Sequence, residues 1–134
     1  MNKLIKIPVS AAELIDKITI LEIKAKHIKS SDKLSSVVSE LNLLMKEYSS
    51  IENANKTKTS KLHSLKLRLY KINLSLWKTE DRIRTMESKK IFNMEFIESA
   101  RMIYTKNDER SAVKSDINIL LGSKLSDIKQ YKKY

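Results

Sequence analysis

The sequence predicts an all-α fold, either an antiparallel four-helix bundle or paired long coiled-coil-like helical hairpins. Three observations predict it. Only one Gly and one Pro occur in 134 residues, whereas sheets and loop-rich folds need many turn residues with positive or pre-set φ. Apolar residues recur by alternating steps of three and four along four segments, the period of an amphipathic helix. The connections between those segments are short, which makes successive helices antiparallel neighbours. At 32% charged and 41% hydrophobic residues the composition is that of a packed globular chain, and the length suits one domain over 1–134.

Residues 2–9 (NKLIKIPV) read as an extended arm, because Pro8 disfavours helix in the residue before it. Ser10-Ala-Ala-Glu13 is a capping-box pattern, with Ser10 as N-cap and Glu13 reaching back. It opens a first helix over about 10–30. There Leu14, Ile18, Leu21, Ala25 and Ile28 form a seam, while Ile20 and Ile23 make a second apolar stripe on the opposite side. A helix apolar on two sides is buried on two sides, so it is central in the fold or lies at a subunit interface. The second reading makes the protein a homo-oligomer. Asp32 is the expected N-cap of a second helix over about 32–53, with Leu34, Val37, Leu41, Leu44, Tyr48 and Ile51 as its seam. Small polar residues at 53–60 (NANKTKTS) indicate a loop or frayed turn.

Thr59 or Ser60 can cap a third helix over about 60–89, with the seam Leu62, Leu65, Leu69, Ile72, Leu76 and Ile83. Asn93 can cap a fourth over about 94–121, and Gly122 stands where helices end in a left-handed residue. A short amphipathic tail helix over 124–133 would carry Leu125, Ile128 and Tyr131.

The informative residues are polar ones near seam positions. At 100° per residue, Glu80 and Glu87 fall close to the centre of the third seam, with Trp77 and Arg84 on its flank. On the fourth helix an apolar face begun by Phe96, Ala100 and Ile103 turns polar through Tyr104, Asn107, Ser111, Lys114 and Asn118. Glu22 lies beside the first seam. Burying such groups is costly unless they are paired, so one end of the bundle should hold a polar network or a wet pocket. Of the five Arg in this Lys-dominated chain, four (Arg82, Arg84, Arg101, Arg110) lie within 82–110. Arg binds carboxylate or phosphate with a planar two-bond fork. The candidate site is therefore Glu22, Trp77, Glu80, Arg84, Arg101, Tyr104, Asn107, Asp108, Arg110, Lys114 and Asn118, receiving an anionic group between the third and fourth helices. Pairs between those Arg and Glu80, Asp81, Asp108 and Glu109 across the same two helices would explain the Arg with no ligand.

Over the segments IPVSAAELIDKITILEIK (7–24), LWKTEDRIR (76–84), FIESARMIYTKNDERSAVKSDIN (96–118) and GSKLSDIKQY (122–131), the chain resembles a family of short bacterial and phage-encoded proteins catalogued as a domain of unknown function. Segment 52–68 has no counterpart in that resemblance. It implies a small helical protein and carries no activity to any residue.

The chain contains no Cys, which removes disulfides, thiolate zinc sites and a cysteine nucleophile and favours a cytoplasmic location. Lys3 and Lys6 followed by apolar residues faintly resemble a signal peptide, but Glu13 and Asp16 interrupt the apolar run. No stretch approaches the roughly 20 apolar residues of a membrane helix. His27 and His63 are far apart with no metal-ligand spacing. The pairs Glu13/Asp16 and Glu95/Glu98 resemble the acidic spacing of helical nucleotide pyrophosphohydrolases, but first-turn acids also simply suit the helix dipole. No metal or cofactor is expected. A single Gly forbids a Gly-rich phosphate loop, and no Gly-x-Ser-x-Gly elbow occurs.

Three function classes stay open. The first is an interaction or ligand-binding protein with an anionic small molecule or a partner protein. The second is a cofactor-free enzyme, chorismate mutase-like in type, fixing an anionic substrate among Arg, Lys and Glu. The third is a nucleic-acid accessory protein. The net charge is +11, and residues 56–90 hold eleven Lys/Arg against three acids. A polyanion would meet Lys61, Lys66, Arg68, Lys71 and Lys78, although a solvated Lys-rich surface accounts for the same charge.

Overall fold

In the computed structural model, which describes residues 3–125 and 132–133, the elements follow from local chemistry at their ends. Ser10 Oγ accepts from the Glu13 amide at 3.3 Å and starts α1 (Ala11–His27). Only half of the expected capping box forms, because the Glu13 carboxylate turns away to Lys114, 2.6 Å distant. α2 (Ser31–Ala54) is capped at Ser30 and not at Asp32, which sits in the first turn where its charge favours the helix dipole. The expected loop at 53–60 is shorter than its composition suggests. α2 runs to Ala54, a single 3₁₀ turn covers Lys56–Lys58, and α3 (Thr59–Ser88) starts at once, capped at Lys58 and not at Thr59 or Ser60. The Asn93 side chain accepts from the Phe96 amide at 3.1 Å and opens α4 (Met94–Leu121).

α3 and α4 end alike. Lys90 and Gly122 adopt left-handed φ of 55° and 64°. Ile91 N–H then reaches Met86 O, and Ser123 N–H reaches Asn118 O, both at 2.9 Å. This is the Schellman closure of a helix end. The expected tail helix over 124–133 lies largely on residues 126–131, outside the described residues.

The four helices form an all-α arrangement with no strand among the described residues, in which α3 packs along α4. α1 touches each of the other three. Its two apolar sides are covered by α2 on one hand and by the α3–α4 hairpin on the other, so a single chain already satisfies the pattern that suggested a subunit interface. The core joins Ala12, Ile15 and Ile18 of α1 to Tyr48 of α2, Leu62, Leu65 and Leu69 of α3, and Val113 and Ile117 of α4. Each fully buried Ile or Leu contributes about 1.5–3 kcal/mol. The α2 seam is half-buried, and Tyr48 alone in that helix is fully enclosed among the described residues.

The buried line of α3 is Leu62, Leu65, Leu69, Ile72, Leu76, Thr79, Ile83 and Met86, a seven-residue repeat held to the end of the helix, with Ile72, Leu76 and Ile83 half-buried. Glu80 and Glu87 are exposed, contrary to their expected place near the seam centre. An ideal straight helix drifts about 20° per heptad against such a repeat, and that drift produced the wrong assignment. On α4 the buried line is Ser99, Ile103, Lys106, Arg110, Val113 and Ile117, again with steps of four and three. It lies one residue from the expected face, so Ala100, Tyr104 and Asn107 are exposed. Near the C-terminal end the face widens to take in Lys114 and Asn118, where α4 covers α1.

Candidate functional site

Along α1, Ala12, Asp16, Thr19 and Ile23 follow one another by four, three and four, and all are buried. Two of the four are polar, and one is a carboxylate only 3% exposed. Such a charge is stable only if it is paired and hydrogen-bonded, and α3 and α4 supply the partners. Arg110 of α4 donates Nε to Asp16 Oδ1 at 3.0 Å and Nη2 to Oδ2, the two-bond fork. Asn73 of α3 donates Nδ2 to Asp16 Oδ1 at 2.9 Å and to Thr19 Oγ1 at 2.8 Å, using both amide hydrogens. The Thr19 hydroxyl donates to Asp16 O at 2.7 Å. Lys114 adds its charge 3.9 Å from Asp16 Oδ2 while pairing with Glu13. The cluster thus pins α1 to α3 and α4 at one level of the bundle.

Directly against this cluster lies a pocket of about 470 Å³ between α1, α3 and α4. Its apolar lining is Ile20, Ile23, Leu76, Trp77 and Ile103, and its polar lining is Asn73, Glu80, Asp81, Arg84, Asn107 and Arg110. The heptad geometry explains this division. Leu76 and Ile103 lie on the inner lines of their helices, while Glu80, Asp81, Arg84 and Asn107 lie outside those lines and reach the mouth. Arg84 pairs with Glu80 one turn away at 3.4 Å, but its side chain is 80% exposed, so that pair holds it only weakly. Trp77 packs against His27 of α1 with ring centroids 5.4 Å apart. His27 Nδ1 lies 2.8 Å from Ile23 O, an acceptor, so Nδ1 carries the proton.

Of the expected site residues, Trp77, Glu80, Arg84, Asn107 and Arg110 share this pocket. The others do not line it. Glu22 pairs with Lys66 of α3 at 3.0 Å. Arg101 and Tyr104 bond to each other at 3.4 Å on an exposed part of α4, and that bond raises the Arg101 pKa. Asp108 is exposed. Lys114 belongs to the buried cluster behind the pocket. Asn118 Oδ1 accepts from the Ala12 amide at 2.9 Å, so it closes the first turn of α1 from across the bundle. Arg84 pairs within α3, and Arg110 reaches past α3 to Asp16 of α1, because the inner line of α4 carries Arg110 toward the carboxylate that α1 buries.

Sequence reading missed Asp16, Thr19 and Asn73. The signal was present. Asp16 leads into the second stripe (Ile20, Ile23) of a helix expected to be buried on two sides, and Asn73 stands four residues after Leu69 and three before Leu76.

One further group is both perturbed and confined. Burial, then Glu52 and Glu22, push the Tyr48 hydroxyl up to about 12, and Tyr48 Oη is buried with no hydrogen-bond partner among the described residues. Among the described residues no three His, Asp or Glu stand close enough to share a metal ion, and no helix is long and apolar enough to cross a membrane.

Residues 5–134 match the model of a family of unknown function, DUF6165, so the chain belongs to that family. The match includes segment 52–68, for which the sequence resemblance had no counterpart. No curated protein and no solved structure matches the chain.

Proposed function

We propose that this member of a family of unknown function is a ligand-binding protein, and that the pocket between α1, α3 and α4 receives a small organic molecule with an apolar body and one anionic group. One observation carries the reading: an apolar floor of Ile20, Ile23, Leu76, Trp77 and Ile103 meets the guanidinium groups of Arg84 and Arg110 at one wall. The volume of about 470 Å³ falls in the range of small-molecule sites, which are mainly apolar with a few converging polar groups. Glu80 and Asp81 at the same mouth repel additional negative charge, so a monoanion or zwitterion fits better than a dianion. The loosely held Arg84 is the group free to turn onto the ligand, and Arg110, fixed by Asp16, offers a preoriented charge behind it. Both Asp16 oxygens accept from Arg110 or Asn73, so this carboxylate is poorly suited to take a proton from a substrate. That favours binding over catalysis.

Trp77 is the only Trp in the chain and lines the pocket, so its emission reports occupancy. The test titrates the protein with medium-chain and aromatic monocarboxylates, their neutral amides and the matching dicarboxylates. Monocarboxylates should shift Trp77 emission and raise the melting temperature, with amides and dicarboxylates weaker by about tenfold or more, about 1.4 kcal/mol. Arg84→Ala should erase the preference of acid over amide. Equal behaviour of acids and amides, or no response to any of them, overturns the reading.

A further inference from the structure

The outer face of α3 carries a row of exposed cations. Lys61, Arg68, Lys71, Lys78 and Arg82 are all exposed, and on the seven-residue repeat that α3 holds they fall on two neighbouring positions, within an arc of about 50°. Between the first and last the helix rises about 30 Å. Only small hydroxyls, Ser64 and Ser75, stand among them on that arc. Residues 53–79 contain seven Lys/Arg and no acid at all. A solvated helix ordinarily interleaves opposite charges at i and i+4, and α3 does so only past Thr79. None of the five cations forms an ion pair with another described residue, whereas Lys66, on the opposite side of the same helix, is half-buried against Glu22. Lys66 therefore leaves the set that the sequence suggested, and Arg82 joins it.

From this geometry we infer that the outer face of α3 docks along the phosphate backbone of a double-stranded nucleic acid, without reading its sequence. A row of unpaired cations over about 30 Å spans roughly nine base pairs at 3.4 Å each. Single strands are held largely by bases stacked on aromatic side chains, and the arc carries no aromatic residue. A membrane-surface helix buries an apolar face in lipid, but the apolar face of α3 is used against α1 and α4. A protein interface needs buried aromatic or aliphatic anchors, and the arc offers none. The stripe is separate from the pocket, so either proposal can fail alone.

The experiment measures binding of the full chain to a labelled 20-base-pair duplex of mixed sequence by fluorescence anisotropy at several salt concentrations. Five phosphate contacts give a slope of log affinity against log salt of about −4.5, or about a 500-fold loss between 50 and 200 mM salt. The pair Arg68→Ala/Lys71→Ala should bring the slope to about −2.7 and that loss to about 40-fold. Lys33→Ala/Lys46→Ala on α2 removes the same net charge from exposed positions and should leave the slope unchanged. Circular dichroism confirms that each variant is folded. Three outcomes overturn the inference: no duplex binding at 50 mM salt, equal effects of the two double variants, or binding to phosphatidylserine vesicles with none to the duplex.

Discussion

Replacing Arg110 by Met tests whether the Asp16 cluster holds the bundle together. Met keeps much of the aliphatic volume and removes the guanidinium. It leaves a carboxylate 3% exposed, still bonded to Asn73 but with its nearest cation, Lys114, 3.9 Å away. Breaking a buried ion pair from one side costs about 3–5 kcal/mol. Lys114 survives and the Arg110 side chain is 29% exposed, so the lower end, about 3 kcal/mol, is expected. For a chain of this size that lowers the melting temperature by about 10 °C. Adding Asp16→Asn removes the stranded charge while keeping an acceptor for Asn73, and it should recover about 2 kcal/mol. Urea unfolding followed by circular dichroism gives all three differences, provided the slope against denaturant is unchanged among the variants. A loss below about 1 kcal/mol for Arg110→Met, or a double variant as unstable as the sum of the singles, refutes the account.

Three other substitutions probe single structural statements. Tyr48→Phe removes a buried hydroxyl without a partner among the described residues, so it should be neutral or raise stability by up to about 1 kcal/mol. The same residue predicts a pH dependence. Its folded pKa of about 12 lies above the ordinary 10.0, so the folded state holds the proton longer. This contribution is complete below pH 10 and is lost as pH rises from 10 to 12; urea midpoints across that window should fall less in Tyr48→Phe than in the parent. Gly122→Ala meets nothing within 4 Å of the added carbon, but φ is +64°, so it should cost about 1 kcal/mol through the backbone alone. Lys90→Gly, at the matching position of α3, should have the opposite sign, and thermal unfolding of the two variants side by side checks both.

What the sequence revealed and what it hid have separate physical causes. The helices were legible because one Gly, one Pro and unbroken three-four spacing leave few alternatives to long helices. Helix starts were less legible. Ser30 rather than Asp32 begins α2, and Lys58 begins α3 because a 3₁₀ turn tightens the connection and removes the need for a side-chain cap. The rotation of α4 was hidden because its inner line holds Ser99, Lys106 and Arg110, while the neighbouring line holds Ala100 and Tyr104. Val113 and Ile117 mark the inner line in the C-terminal half of α4, and Asp16, 94 positions away in sequence, supplies the partner charge that lets Arg110 stand on the same line.

This dependence also separates structure from binding at the candidate site. Arg110 serves both, since it neutralises Asp16 and faces the pocket, so its loss would lower stability and affinity together and decide nothing about ligand recognition. Arg84 lines the same pocket from an exposed position with only a one-turn pair to Glu80, and an exposed pair of that kind is worth little to folding. A change confined to Arg84 should therefore move binding with almost no change in stability, while Arg110→Met with Asp16→Asn should restore most of the stability without restoring the charge. If both variants lose acid recognition, the two guanidiniums form one anion site. If only the Arg84 variant does, Arg110 is a structural group that happens to line the wall.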